Sequence, residues 1–215
     1  LIYKLYLSAE FTFLFLLLPL FIHWYRNLFA RLLIPTLFCV ALACILVLLK
    51  DTRFDRKQLW NQRMLPHAFM PIFKTFIAGA TILVILVLWL TPELFLGFPR
   101  RRPIVWLLVM FLYPLLSVYP QELIFRAFFF HRYQTLFPNQ HQLVMASALS
   151  FGMAHIIFAN WVAPLLSTLG GILFAITYSR HRSLALVCVE HSLWGNLIFT
   201  IGLGWYFYGG AMVIE

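Results

Sequence analysis

Glu122, Arg126, His155, His191 and Asn196 are the side chains of this sequence that could do chemistry, and each stands in or beside an apolar run of membrane length. They form three groups: Gln121-Glu122-Leu-Ile-Phe-Arg126, Phe151-Gly-Met-Ala-His155 and Glu190-His191-Ser-Leu-Trp-Gly-Asn196. A charged side chain at mid-bilayer costs roughly 2.5 to 3.5 kcal/mol on insertion scales, so a chain that keeps several there is using them. One carboxylate and two imidazoles from separate helices are the minimum set for activating a water and stabilising an oxyanion. The same three, Glu122, His155 and His191, could instead ligate a divalent metal such as zinc. No His-Glu-x-x-His pair is present, so no firm metal site is read and the hydrolytic reading does not require one. Glu122 and Arg126 are four residues apart and share a helix face, which lets the guanidinium neutralise or orient the carboxylate. The plainer readings are an ion pair that makes burial tolerable and histidines satisfied by backbone carbonyls. The coincidence of three such groups favours a site.

The elements that must position these residues are membrane helices. The 215 residues are 63% hydrophobic and 11% charged, and their mean hydropathy is +0.89, which excludes an ordinary soluble domain. Apolar runs of roughly the ~20 residues that cross hydrocarbon fall at 7–24, 32–49, 72–90, 104–119, 143–158, 163–178 and 184–201, with the partly polar motif segment 121–137 as a further helix. The expectation is an all-α, polytopic bundle of about seven or eight transmembrane helices, one domain over 1–215 with its motif-bearing core at about 120–196. Pro120 suits the first turn of a helix that begins at the motif. Gly170-Gly171, Gly202/Gly204 and Gly209/Gly210 offer small surfaces for close helix approach.

The net charge of +9 does not indicate nucleic acid, because the cations sit in short connections such as Arg53–Arg63, Arg100–Arg102 and Arg180–Arg182. There they flank membrane spans and meet lipid headgroups. The basic connection after the second span points to a cytoplasmic N-terminus, but Arg100–Arg102 then fall on the opposite side of a simple topology, which leaves either a re-entrant span or a weak charge rule. Cys39, Cys44 and Cys188 have neither zinc-finger nor paired spacing and read as small apolar residues. Glu190 reads as a helix-end acid paired with Arg180 or Arg182, or as a second acid for the site.

The order Glu-x-x-x-Arg, Phe-x-x-x-His, then His followed closely by Asn resembles the CAAX prenyl protease and bacteriocin-processing family, also called the Abi family, over about Pro120 to Asn196. The resemblance implies an all-helical intramembrane endopeptidase of a bacterial inner membrane, acting on a membrane-associated protein or peptide. It implies that Glu122 activates water with His155, that His191 and Asn196 stabilise the oxyanion, and that Arg126 orients the acid. Gln121 and Phe151 would line the substrate site. Two positions depart from the family pattern. Gln121 stands where a first glutamate is usual, and an amide cannot take a proton from water. Gly195 stands four residues after His191, where the family has its asparagine. The rival reading is therefore a noncatalytic relative, a bacteriocin-immunity or partner-binding membrane module. A proton-coupled transporter is a third, opposed by the lack of an evident inverted repeat.

Overall fold

The computed structural model describes residues 1–29 and 31–207, and Gly209 and Gly210 lie outside them. Among the described residues there is no strand, and seven helices are long and apolar enough to cross a membrane. They are α1 Ile2–Trp24, α2 Leu33–Lys50, α3 Gln62–Leu90, α4 Pro103–Leu136, α5 Gln140–Phe158, α6 Val162–His181 and α7 Leu184–Ile201. Leu, Ile, Val and Phe on every face of α2 and α3 leave bulky side chains such as Leu42 and Ile85 on the outer surface, as a lipid-facing helix requires. The last three helices bury 39, 39 and 44% of their most apolar stretch, the first four only 11 to 17%. The last three helices, together with the buried motif-bearing end of α4 (Leu123–Phe130), are therefore the inner bundle.

The segments expected as two helices, 104–119 and 121–137, are one continuous span, α4, so the count is seven. Pro120 does not start a helix. Its ring would clash with the carbonyl four residues back in a regular α-helix, but Pro114–Val118 just before it is wound as a π turn, which redirects the carbonyls there. A second π turn at Leu123–Phe128 follows. Gln121 and Glu122 thus sit on a short α segment between two overwide turns.

Caps set the starts of two site helices. Asn139 Oδ1 accepts from the Gln142 N–H at 3.0 Å at the head of α5, and Ser183 Oγ accepts from the Leu186 N–H at 3.2 Å at the head of α7. Ser183 also donates to the Asn61 carbonyl at 2.6 Å, and Tyr178 donates to Gln58 at 3.0 Å. These bonds pin the α2–α3 connection over the α6–α7 turn. It is made of two short 3-10 turns, Arg56–Leu59 and Gln62–Met64, the second opening α3.

Helix α1 is fastened near its middle and at its C-terminal end. Glu10 accepts a bidentate pair from Arg132 at 2.9 and 2.7 Å and a third bond from Tyr133 at 2.8 Å. His23 Nδ1 donates to the Ile156 carbonyl at 2.8 Å, one residue past His155. Helices α5 and α6 approach closely, since a Cβ on Gly152 would overlap Thr168 and one on Gly171 would meet the Ala148 backbone at 3.2 Å. Small residues at a membrane helix interface permit this.

Candidate active site

Arg126 is the pivot of the site. It is fully buried, and its Nη1 donates to Ser147 Oγ at 2.8 Å and to the Phe125 carbonyl at 3.1 Å. Its Nη2 reaches the Gly171 carbonyl at 3.4 Å, an approach that a larger residue 171 would obstruct. The guanidinium lies 5.2 Å from the Phe151 ring centre and 5.9 Å from that of Phe174, within cation–π range. One side chain of α4 thereby ties α5 and α6 together.

Its Nε stands 3.2 Å from Glu122 Oε2, close enough for a strong ionic contact but without the alignment of a hydrogen bond. The other carboxylate oxygen, Oε1, lies 2.7 Å from His191 Nδ1. A carboxylate only accepts, so Nδ1–H donates. The His191 ring is held flat against Phe174, centroids 4.5 Å apart, and edge-on to Phe151 at 5.5 Å. Its remaining nitrogen, Nε2, is 3.0 Å from the Tyr113 hydroxyl.

His155 sits where α5 tightens into a 3-10 turn. Its backbone N–H bonds the Gly152 carbonyl, and its Nδ1 takes the Phe151 carbonyl, four residues back, at 2.7 Å. A carbonyl cannot donate, so the proton of the neutral ring is on Nδ1 and the lone pair on Nε2. Among the described residues Nε2 has no hydrogen-bond partner.

A cavity of about 890 Å³ opens between these residues and the first three helices. Gln121, His155, His191, Phe151 and Tyr113 line it, and most of the remaining wall is apolar, from side chains such as Leu18, Leu37 and Ile82. Glu122 and Arg126, both at 0% exposure, lie behind that wall. Gln121 is thus the member of the Gln-Glu pair that faces the cavity. Its Nε2 donates to Ser117 Oγ at 2.6 Å, and its Oε1 is buried without a partner.

The structure brings Glu122, Arg126 and His191 into one network and Gln121, Phe151, His155 and His191 onto one cavity. It does not bring Glu122 to His155, since both Glu122 oxygens are turned to His191 and Arg126. Nor does it bring Asn196 to the cavity, because the Asn196 amide donates to the Met110 carbonyl at 3.3 Å. Glu190 is 3% exposed and its Oε2 has no partner, so the expected pairing with Arg180 or Arg182 is absent among the described residues. Sequence reasoning missed Tyr113, Ser147 and Phe174. For Tyr113 the only signal was a hydroxyl inside an apolar run.

His191 and His155 each give Nδ1–H to an oxygen and keep a lone pair on Nε2, which is compatible with ligation, but Glu122 lies behind the cavity wall with both oxygens turned to His191 and Arg126. Among the described residues no three His, Cys, Asp or Glu side chains converge as a metal site. This donor set does not fit a zinc ion.

Residues 103–207 match the family model described as type II CAAX prenyl endopeptidase Rce1-like. The match starts at the first residue of α4 and takes in α4–α7, the helices that carry every motif residue. No curated protein and no solved structure matches the chain.

Proposed function

We propose, on the premise that the α4–α7 half of this chain belongs to the type II CAAX prenyl endopeptidase Rce1-like family, that the protein is an intramembrane endopeptidase hydrolysing a peptide bond of a membrane-associated protein or peptide. The observation that carries the reading is His155, an imidazole on the cavity wall whose Nδ1 is fixed on the Phe151 carbonyl and whose Nε2 is left to accept a proton. Water-activating work falls to that nitrogen. Gln121 lines the same cavity, but its Oε1 is closed off from it and an amide cannot take a proton from water.

The water oxygen bonds the carbonyl carbon, the carbonyl π pair moves onto oxygen, and the water proton passes to His155 Nε2. Collapse of the tetrahedral intermediate breaks the C–N bond, and His155 returns the proton to the leaving amine. Glu122 then has a positioning role and not the base role read from the sequence. It fixes the tautomer and direction of His191 as the carboxylate of a catalytic triad fixes its imidazole, while Arg126 balances its charge. His191 with the attached Tyr113 hydroxyl forms the polar edge of an otherwise apolar cavity, where fixed dipoles act with little screening. The apolar wall suits lipid-embedded substrate, and the α-helical architecture suits a bacterial inner membrane.

The test is cleavage of a hexadecanoyl-anchored peptide library by the full chain in proteoliposomes. Wild type is expected to release product, and His155→Ala and His191→Ala to reduce release at least about 100-fold. Full activity in both variants overturns the reading.

A specific observation favours a second reading, a noncatalytic immunity or partner-binding module: the member of the Gln121-Glu122 pair that lines the cavity is the amide, with the carboxylate withdrawn behind the wall. Wild type that retains the peptides uncleaved, together with a Gln121→Glu variant that cleaves them, would establish it.

A further inference from the structure

An oxyanion formed at the cavity wall needs a hydrogen-bond donor there, and the motif residues do not supply one. His191 commits its Nδ1–H to Glu122, Asn196 turns its amide to Met110 and away from the cavity, Gln121 is anchored through its amide nitrogen on Ser117 of its own helix, and His155 presents an acceptor. The Tyr113 hydroxyl is different. It lines the cavity, lies 3.0 Å from His191 Nε2 and is the donor of that bond when Nε2 carries the lone pair.

We propose that the Tyr113 hydroxyl is the oxyanion donor of this chain, parked on His191 Nε2 in the resting site and turned onto the substrate oxygen as negative charge develops. The assignment rests on the endopeptidase reading above. A developing oxyanion is a stronger acceptor than a neutral imidazole nitrogen, and rotation about the phenolic C–O bond redirects the proton without moving the ring. The ring itself is fixed, edge-on to Phe199 at 5.2 Å and to His191 at 6.0 Å.

Gly195 is what admits the ring. A Cβ at position 195 would overlap the Tyr113 ring and its hydroxyl, so any side chain there displaces the phenol from His191. Gly195 is also on the cavity wall, one turn of α7 beyond His191. The absence of a side chain at 195 and the presence of the hydroxyl at 113 are two halves of one arrangement.

The experiment uses the full chain in nanodiscs and two probe pools: hexadecanoyl heptapeptides with randomised side chains, and the same peptides with the central amide replaced by a phosphinate, a stable tetrahedral anion. Wild type is expected to bind the phosphinate pool at least about 100-fold more tightly than the amide pool. Tyr113→Phe is expected to lose on the order of 100-fold in phosphinate binding, and in kcat, with amide binding and KM unchanged. Gly195→Ala should give the same loss, and the double variant should be no worse than either single one. Unchanged amide binding also reports that each variant is folded. Phosphinate binding by Tyr113→Phe equal to wild type overturns the proposal, as does a wild type that shows no preference for phosphinate. The binding arm does not depend on turnover. A wild type that prefers phosphinate through Tyr113 but cleaves nothing therefore sinks the endopeptidase reading and leaves the assignment of the hydroxyl standing.

Discussion

In the proposed hydrolysis Gln121 is a cavity residue that cannot act as a base, because an amide takes no proton from water. A carboxylate at 121 would supply a second proton acceptor, and general base catalysis contributes about 10²–10⁴-fold in rate. Gln121→Glu is therefore expected to raise kcat at least about 10-fold in the proteoliposome cleavage assay, and a loss of activity would show that the amide itself is needed. Arg126 makes a second prediction. Removing one partner of a buried pair costs about 3–5 kcal/mol because the other charge is stranded. Arg126→Met should lower stability to denaturant by that order, and the double variant Glu122→Gln/Arg126→Met should recover much of it. A third follows from the lack of three convergent His, Cys, Asp or Glu side chains among the described residues: dialysis against a chelator is expected to leave the melting temperature and any peptide cleavage unchanged.

At the scale of elements, the close α5–α6 contact sets where Arg126 and hence Glu122 can sit. Gly152→Val would drive a side chain into Thr168 and the Pro164 carbonyl, and overpacking of this kind costs about 1–3 kcal/mol. The expected outcome is a stability loss in that range by denaturant unfolding, partly relieved by Thr168→Ala, since the threonine hydroxyl is the nearest obstacle. This is also where sequence reading reached its limit. The polar types and their helices were legible, because burial in a bilayer selects such residues for use. The facing of Gln121 and Glu122 was not, since adjacent residues differ by about 100° on a regular helix and two π turns flank this pair. Pro120 pointed to a helix start because its cost in a helix interior was assigned without the π turn that removes it. Tyr113 was illegible for another reason: its partner His191 is 78 residues away, and only the packing of α4 on α7 brings them together.

Across the whole molecule, composition alone made the membrane bundle legible, while orientation needs the packing of its connections. Seven spans put the two ends of the described chain on opposite faces. The α2–α3 connection, with Lys50, Arg53, Arg56, Lys57 and Arg63, shares a face with Arg180 and Arg182, as the Tyr178–Gln58 and Ser183–Asn61 bonds require. On that face Asp51 joins Arg53 and His131, and hydrogen bonds from Arg53, then His131, hold its carboxyl below the usual carboxylate range. The contribution of these bonds to stability is present above the ordinary carboxylate pKa and fades only as pH falls through the depressed value. The opposite face carries Arg26, Arg31 and Arg100–Arg102, a smaller set. By the positive-inside rule the excess of Lys and Arg predicts that the first face, and with it the N-terminus, is cytoplasmic. In a background with Cys39→Ser, Cys44→Ala and Cys188→Ala, single cysteines at two exposed connections give the measurement. A membrane-impermeant maleimide should label Glu93→Cys in intact spheroplasts and Lys57→Cys only after the membrane is opened. The reverse pattern would invert the protein. It would then show that the three arginines before α4, and not the larger cluster after α2, set the direction of insertion.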